Sequence, residues 1–218
     1  MNTAILLKAA TGNGNDEYSR DNPGRYRGDR GSPASTALWV FMGVVTALFS
    51  LFIAAYVMRM DSSDWNPIAM PPQLWLSTAL LIAGSVLLQL AGANAGNARF
   101  QRAYALFIAG GVCAAAFIGV QLWGWQQLLA ERVPMAGNPA ASFFYLLTAM
   151  HGLHVAGGLI AWMASMRSVR LGAPGLQAAW RVRLCARYWH FLLAVWVVLF
   201  GALGWLTPET VRLICGTG

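Results

Sequence analysis

The sequence has little charge for its length. Asp, Glu, Lys and Arg make up 11% of its 218 residues, whereas hydrophobic residues make up 57%. A soluble domain carries about 25% charged residues, so this chain has too few charges to cover a surface that faces water. The composition therefore predicts an integral membrane protein, in which lipid replaces water over most of the surface.

Cysteine is also scarce, and the N-terminus lacks a secretory signal. The three cysteines, Cys113, Cys185 and Cys215, are odd in number and widely spaced, which indicates neither a disulfide framework nor a zinc site. A secretory signal needs about 7–15 consecutive apolar residues, but the apolar run at residues 4–7 ends at Lys8. We therefore expect the N-terminus to stay uncleaved.

Charged residues leave five long gaps along the chain, at residues 31–58, 65–98, 103–130, 133–166 and 188–208. Each gap is as long as the roughly 20 residues with which an α-helix crosses the hydrocarbon core. Backbone groups cannot stay unpaired in lipid, so these segments must be helical. We predict an all-α integral membrane protein whose five transmembrane helices form a bundle, at about 37–58, 73–92, 103–128, 143–166 and 187–206.

The flanking segments predict the domain organisation. Residues 9–34 are polar and nearly free of aliphatic side chains, so we predict a disordered polar tail over residues 1–34. Residues 35–208 are predicted to form the transmembrane domain, and residues 209–218 a short tail after it. The uncharged stretch 171–180 is too short to cross a membrane and contains Gly and Pro, so we predict a loop there.

Lys and Arg predict the orientation. Twelve of the fifteen lie in segments on the same side as the N-terminus, and only Arg59, Arg132 and Arg212 lie on the other side. Because basic residues concentrate on the cytoplasmic side, we expect a cytoplasmic N-terminus and a periplasmic C-terminus. This topology accounts for the basic clusters, so no nucleic-acid partner is expected.

Histidine is the only candidate for chemistry inside the predicted helices, which contain no internal Asp, Glu, Lys or Arg. Ion-coupled transporters usually need such residues, and no inverted repeat is visible, so a transporter is disfavoured. With the last helix starting at about residue 187, His190 would lie near the inner membrane surface. It would be several ångströms closer to that surface than His154. Unequal depths disfavour a bis-histidine haem protein, and no carboxylate or thiolate is near enough to complete a metal site. We interpret His151, His154 and His190 as hydrogen-bonding groups between helices.

Glycines within the predicted helices predict close helix contacts. These glycines are Gly110, Gly111, Gly119, Gly152, Gly157, Gly158, Gly201 and Gly204.

Two motifs resemble subunit III of the haem-copper terminal oxidases. His151-Gly152-Leu153-His154-Val155, followed by Gly157, resembles the HGLHV motif of that family, and Tyr188-Trp189-His190-Phe191, followed by Trp196, resembles the YWHF…W motif of its last helix. Looser similarities lie at residues 38–56, 76–85 and 117–121. The resemblance extends from about residue 35 to residue 206 and fits the shorter, five-helix bacterial form.

The resemblance implies a non-catalytic subunit of a respiratory oxygen reductase. Such a subunit carries no redox centre; haem and copper are expected in partner subunits. The implied partners are subunit I as the main contact, subunit II, other small subunits and phospholipids, and the implied location is the bacterial cytoplasmic membrane, crossed several times. No catalytic, cofactor or metal residue is expected in this chain. The motif residues are expected to serve helix packing: His151, Gly152, His154, Gly157, Tyr188, Trp189, His190 and Trp196.

The chain departs from the family at three positions that are usually acidic. Val45, Gly124 and Leu193 occupy these positions, so no role of the acids is carried over. A five-helix accessory protein of a nitric oxide reductase system and subunit III of a quinol oxidase remain alternatives. The electron donor and the haem types are not encoded in recognisable residues of this chain.

Overall fold

A computed structural model describes residues 33–60, 62–68, 70–97, 99–131, 133, 137–170, 175–206 and 208. These residues contain five α-helices: α1 (Pro33–Arg59), α2 (Gln73–Gly96), α3 (Phe100–Ala130), α4 (Pro139–Arg170) and α5 (Gly175–Trp205). All five are long and apolar enough to cross a membrane. The predicted all-α architecture with five helices able to cross a membrane is therefore confirmed for the described residues.

Two predicted tails fall mostly or wholly outside the described residues. Of the tail at 1–34 only the last two residues are described, and of the tail at 209–218 none is. The described residues divide into two units at residue 37, one before it and one from Leu38 onward. The packing described below is that of the second unit.

Four helices enclose the main core. Helix α2 packs against α3 and α5, and α4 packs against the same two helices. Glycines bring α2 and α3 together, because a Cβ added to Gly84 would lie 3.3 Å from the carbonyl oxygen of Gly110. Helix α1 joins through larger side chains, with Val45 and Phe49 buried against Leu147 of α4.

The first turns of α5 correct the sequence prediction. We predicted a loop at 171–180 and a helix from 187, but α5 begins at Gly175. Small side chains pack the extra turns against the bundle. Ala179 is buried against Ala95 at the end of α2 and Ala103 at the start of α3. The arginines in this stretch ended the predicted helix, but a helix continues past such residues when its neighbours give it a packing surface.

Asn138 orders the opposite end of the bundle. Its side-chain oxygen accepts a hydrogen bond from the Ala140 N–H at 3.1 Å, which caps α4. Its side-chain N–H donates to the carbonyl oxygen of Asn66 at 2.8 Å. One side chain therefore starts α4 and also holds the loop between α1 and α2.

The glycine prediction is partly wrong. An added Cβ would clash or nearly clash with another part of the chain at Gly110, Gly111, Gly158 and Gly204. It would meet nothing within 4 Å at Gly119, Gly152 and Gly157, and at Gly201 it would meet only Trp205 of the same helix. Glycine content alone does not reveal which side of a helix faces a neighbour.

Candidate functional site

His151 is buried within the helix bundle. Its exposed fraction is 0%. The rings around it come from three other helices: Phe49 at 6.4 Å, Phe117 at 5.6 Å and Trp196 at 5.0 Å between ring centroids. Neither ring nitrogen has a hydrogen-bond partner among the residues that the structure describes. His151 therefore acts as a packed ring in an aromatic setting.

Trp196 connects this core to α2. Its indole N–H donates to the Thr78 hydroxyl at 2.9 Å, and its ring meets Phe117 edge-on at 5.1 Å. Thr78, Phe117, His151 and Trp196 come from α2, α3, α4 and α5 in turn, and we call them the aromatic core. Trp196 thus packs against α2, α3 and α4 at once.

The second contact between the two motifs is made by Tyr188. Its hydroxyl donates to the carbonyl oxygen of His154 at 3.1 Å. Its ring lies against Gly158, where an added Cβ would come within 2.9 Å of the ring. The motif of α4 and the motif of α5 thus form one interface, closed by a glycine and a hydroxyl.

The predicted hydrogen bonds from the histidines to other helices of this chain are wrong. Nδ1 of His154 lies 2.6 Å from the Met150 carbonyl oxygen, and Nδ1 of His190 lies 2.8 Å from the Ala186 carbonyl oxygen. Both acceptors belong to the same helix as the ring, four residues back. The side-chain hydrogen bonds that link α4 and α5 to other helices come instead from tyrosine and tryptophan, including Tyr188.

The predicted depth of His190 also needs correction. Helices α2 and α5 run antiparallel: Thr78 bonds to Trp196, and an added Cβ on Gly92 would lie 3.4 Å from Cγ of Arg183. The two contacts are 14 residues apart on α2 and 13 residues apart on α5, so the two stretches are nearly equal in length. The middle of the α5 stretch, at His190, therefore lies level with the middle of the α2 stretch. His190 is therefore level with the middle of α2, well away from either end of that helix.

Direction, rather than depth, separates the histidine rings. The bond from Tyr188 to the His154 carbonyl places His154 and His190 within about one helical turn of the same level. The His154 ring contacts Phe41 and Phe49 of α1, whereas His190 is exposed. In the described part of the chain, no three His, Cys, Asp or Glu side chains come together as metal ligands could.

The remaining motif residues and the three departures have plain packing environments. Trp189 is buried in the main core, and Gly152 and Gly157 have no neighbouring atom within 4 Å of an added Cβ. Val45 is buried beside α4. An added Cβ on Gly124 would lie 3.7 Å from Cβ of Gln73, and Leu193 is half-buried against the main core.

Sequence reasoning missed the partners of the aromatic core, chiefly Thr78 and Phe117. Each is a single residue in an apolar helix, and its identity alone gives no signal of what it faces.

Known proteins resemble this chain over most of its length. Subunit 3 of the cytochrome c oxidase of Synechocystis is 31% identical over 196 residues, which is 85% of this chain and 82% of that protein. The chain belongs to the cytochrome c oxidase subunit 3 family. The resemblance predicted from the two histidine motifs is confirmed.

Two further relatives are named as subunits of two kinds of oxidase, a cytochrome c oxidase and a ubiquinol oxidase. Cytochrome c oxidase subunit 3 of Bacillus sp. strain PS3 is 29% identical over 74% of this chain and 80% of its own length. Subunit 3 of the cytochrome bo(3) ubiquinol oxidase of Pseudomonas aeruginosa is 26% identical over 92% of this chain and 96% of its own. No protein-family model matches the chain. Family membership and the five helices together indicate a multi-pass membrane protein.

Proposed function

We propose that the chain is the non-catalytic subunit III of a respiratory haem-copper oxygen reductase of the cytochrome c oxidase type. In this role it stabilises the catalytic subunit I and supports sustained turnover in aerobic electron transport. The similarity to subunit 3 of cytochrome c oxidases over most of the chain carries this proposal. Subunit II, the small subunits and phospholipids are the other expected partners.

The chemistry of the aromatic core supports a structural role. His151 is enclosed by aromatic rings, and Nδ1 of both His154 and His190 is engaged by a carbonyl oxygen of its own helix. Such an arrangement fixes helix positions, and in the described part of the chain it brings no three metal-ligating side chains together. The haem and copper of the enzyme accordingly belong to partner subunits.

The orientation and the location form part of the same proposal. The bias of Lys and Arg supports a cytoplasmic N-terminus and a periplasmic C-terminus. In this orientation the first turns of α5, which contain Arg181 and Arg183, extend into the cytoplasm. The membrane is then the cytoplasmic membrane of a bacterium, with a disordered tail at 1–34 inside and a short tail at 209–218 outside.

A quinol oxidase is the second candidate, because the Pseudomonas aeruginosa relative named as a ubiquinol oxidase subunit matches nearly the full length of both chains. The two candidates differ in the electron donor of the complex.

Affinity capture of this chain from gently solubilised membranes tests the proposal. The expected result is co-purification of a catalytic subunit that contains haem and copper, in a complex that reduces oxygen with reduced cytochrome c as the electron donor. Activity with quinol alone would select the second candidate. A haem partner without copper, as in a nitric oxide reductase system, or no oxidase subunit at all, would contradict both.

A further inference from the structure

Helices α2 and α5 form a seam whose outer edge can be followed residue by residue. Three contacts fix its register: Trp75 with Phe200 at 5.0 Å between ring centroids, the Thr78–Trp196 hydrogen bond, and the close approach of Gly92 to Arg183. Positions that continue the spacing of these residues along either helix lie beside the same seam.

Two polar residues continue that spacing. Gln89 lies 14 residues after Trp75 and one turn before Gly92, and His190 lies seven residues after Arg183. Both are exposed. The register places Gln89 level with Ala186, whose carbonyl oxygen engages the His190 ring. The two polar groups are therefore close in depth and on the same edge.

The hydrogen bond made by Nδ1 of His190 determines whether the other ring nitrogen, Nε2, is a hydrogen-bond donor or an acceptor. A carbonyl oxygen only accepts, so Nδ1 carries the proton at the 2.8 Å contact with Ala186. Nε2 is then a bare acceptor on the surface of the bundle. Among the described residues, neither this nitrogen nor the Gln89 amide has a partner.

Lipid cannot satisfy these groups at that depth. His190 is level with the middle of α2, about 16 Å from the inner end of that helix at 1.5 Å per residue. Acyl chains offer no hydrogen-bond donor, and polar side chains in a membrane usually face protein. Exposed Thr46 differs, because its hydroxyl donates to the Met42 carbonyl oxygen of its own helix at 2.8 Å.

We propose that the edge of the α2–α5 seam is the docking face for a transmembrane helix of the catalytic subunit. The seam comprises Val86 and Gln89 of α2 together with His190, Ala194 and Val197 of α5, all of them exposed. The docked helix presents a hydrogen-bond donor to His190 Nε2 and a polar group to the Gln89 amide. The small Ala194, one turn from His190, lets the two backbones approach closely. This inference rests on the proposed function and adds to it the surface and the chemistry of the contact.

Photocrosslinking in the intact oxidase complex tests the location. A benzophenone amino acid at Val197 or Val86 should crosslink to the catalytic subunit, since both flank the polar pair. Matched controls carry the same group at Val44 of α1 and Ile160 of α4, which are 62% and 65% exposed. Crosslinks to the catalytic subunit from a control position, with none from the seam, would overturn the docking face and leave the proposed function intact. A purified complex without any oxidase subunit would contradict both the docking face and the proposed function.

Substitution tests the chemistry. His190→Phe and Gln89→Leu should each reduce the fraction of catalytic subunit retained in detergent by about threefold, as expected for one interhelical hydrogen bond in a membrane protein. His190→Gln, which restores an acceptor, should recover part of the loss. Thr46→Val is the matched control for an exposed polar group satisfied by its own helix. Equal retention in His190→Phe and in the control would contradict the assignment of His190 as an acceptor for the partner.

Discussion

The Thr78–Trp196 hydrogen bond allows a sharp test of the aromatic core. Thr78→Val removes the hydroxyl that accepts the indole N–H at 2.9 Å while keeping the branched shape. Interhelical hydrogen bonds in membrane proteins contribute about 0.6 kcal/mol on average and about 1.7 kcal/mol at most. The indole is left without a partner in a core with 1% exposure of Trp196, so we expect the upper part of that range.

Thr46→Val is the matched control for this experiment. Each threonine donates to the carbonyl oxygen four residues back, at 2.7 Å for Thr78 and 2.8 Å for Thr46. The two variants therefore lose the same local bond, and only Thr78→Val also strands an indole. The difference between their free energies of unfolding measures the bond to Trp196.

Equilibrium unfolding of the purified chain in mixed micelles gives both free energies. We expect Thr78→Val to be less stable than Thr46→Val by about 1–2 kcal/mol. In a Trp196→Phe background the difference should largely disappear, because no indole remains to be stranded. Equal destabilisation by the two threonine variants in the native background would refute the hydrogen bond between α2 and α5.

The remaining predictions concern packing, the central histidine and topology. Gly111→Ala should destabilise the chain by about 1–3 kcal/mol, because the new Cβ would overlap the Trp162 indole, whereas Gly119→Ala should be neutral or stabilising in the same unfolding assay; equal effects would contradict the described contacts. His151→Phe should leave stability unchanged or raise it, since it removes two buried nitrogens without partners, and a loss above about 2 kcal/mol would show that the imidazole has a missing partner. An impermeant thiol reagent should label Cys215 in intact cells; labelling only after the cells are opened would invert the orientation.

The number of helices was predictable from the sequence because lipid excludes charge. The five gaps between charged residues correspond to the five helices. Helix ends were less predictable, as α5 shows, because a helix can leave the hydrocarbon and continue wherever Ala179 and its neighbours provide packing. That one error also misplaced His190 in depth.

Side-chain partners were the least predictable feature. Thr78 and Thr46 look alike in sequence, and both bond to their own helix, yet only Thr78 also receives an indole. The histidines show the opposite error. Their polarity predicted hydrogen bonds between helices, but His154 and His190 each bond to a carbonyl oxygen four residues back in their own helix. Which neighbour a polar group meets depends on helix rotation, and an apolar sequence with low amphipathicity carries little information about rotation.

Oxygen consumption by the complex with and without this chain tests the central claim most directly. The redox centres are proposed to lie in partner subunits, so the depleted complex should keep its haem spectrum and its initial rate. Loss of the five helices exposes the catalytic subunit to lipid or detergent, so activity should decay faster over successive turnovers than in the intact complex. Loss of the haem spectrum on depletion would contradict the non-catalytic role, and an unchanged decay would contradict the stabilising one.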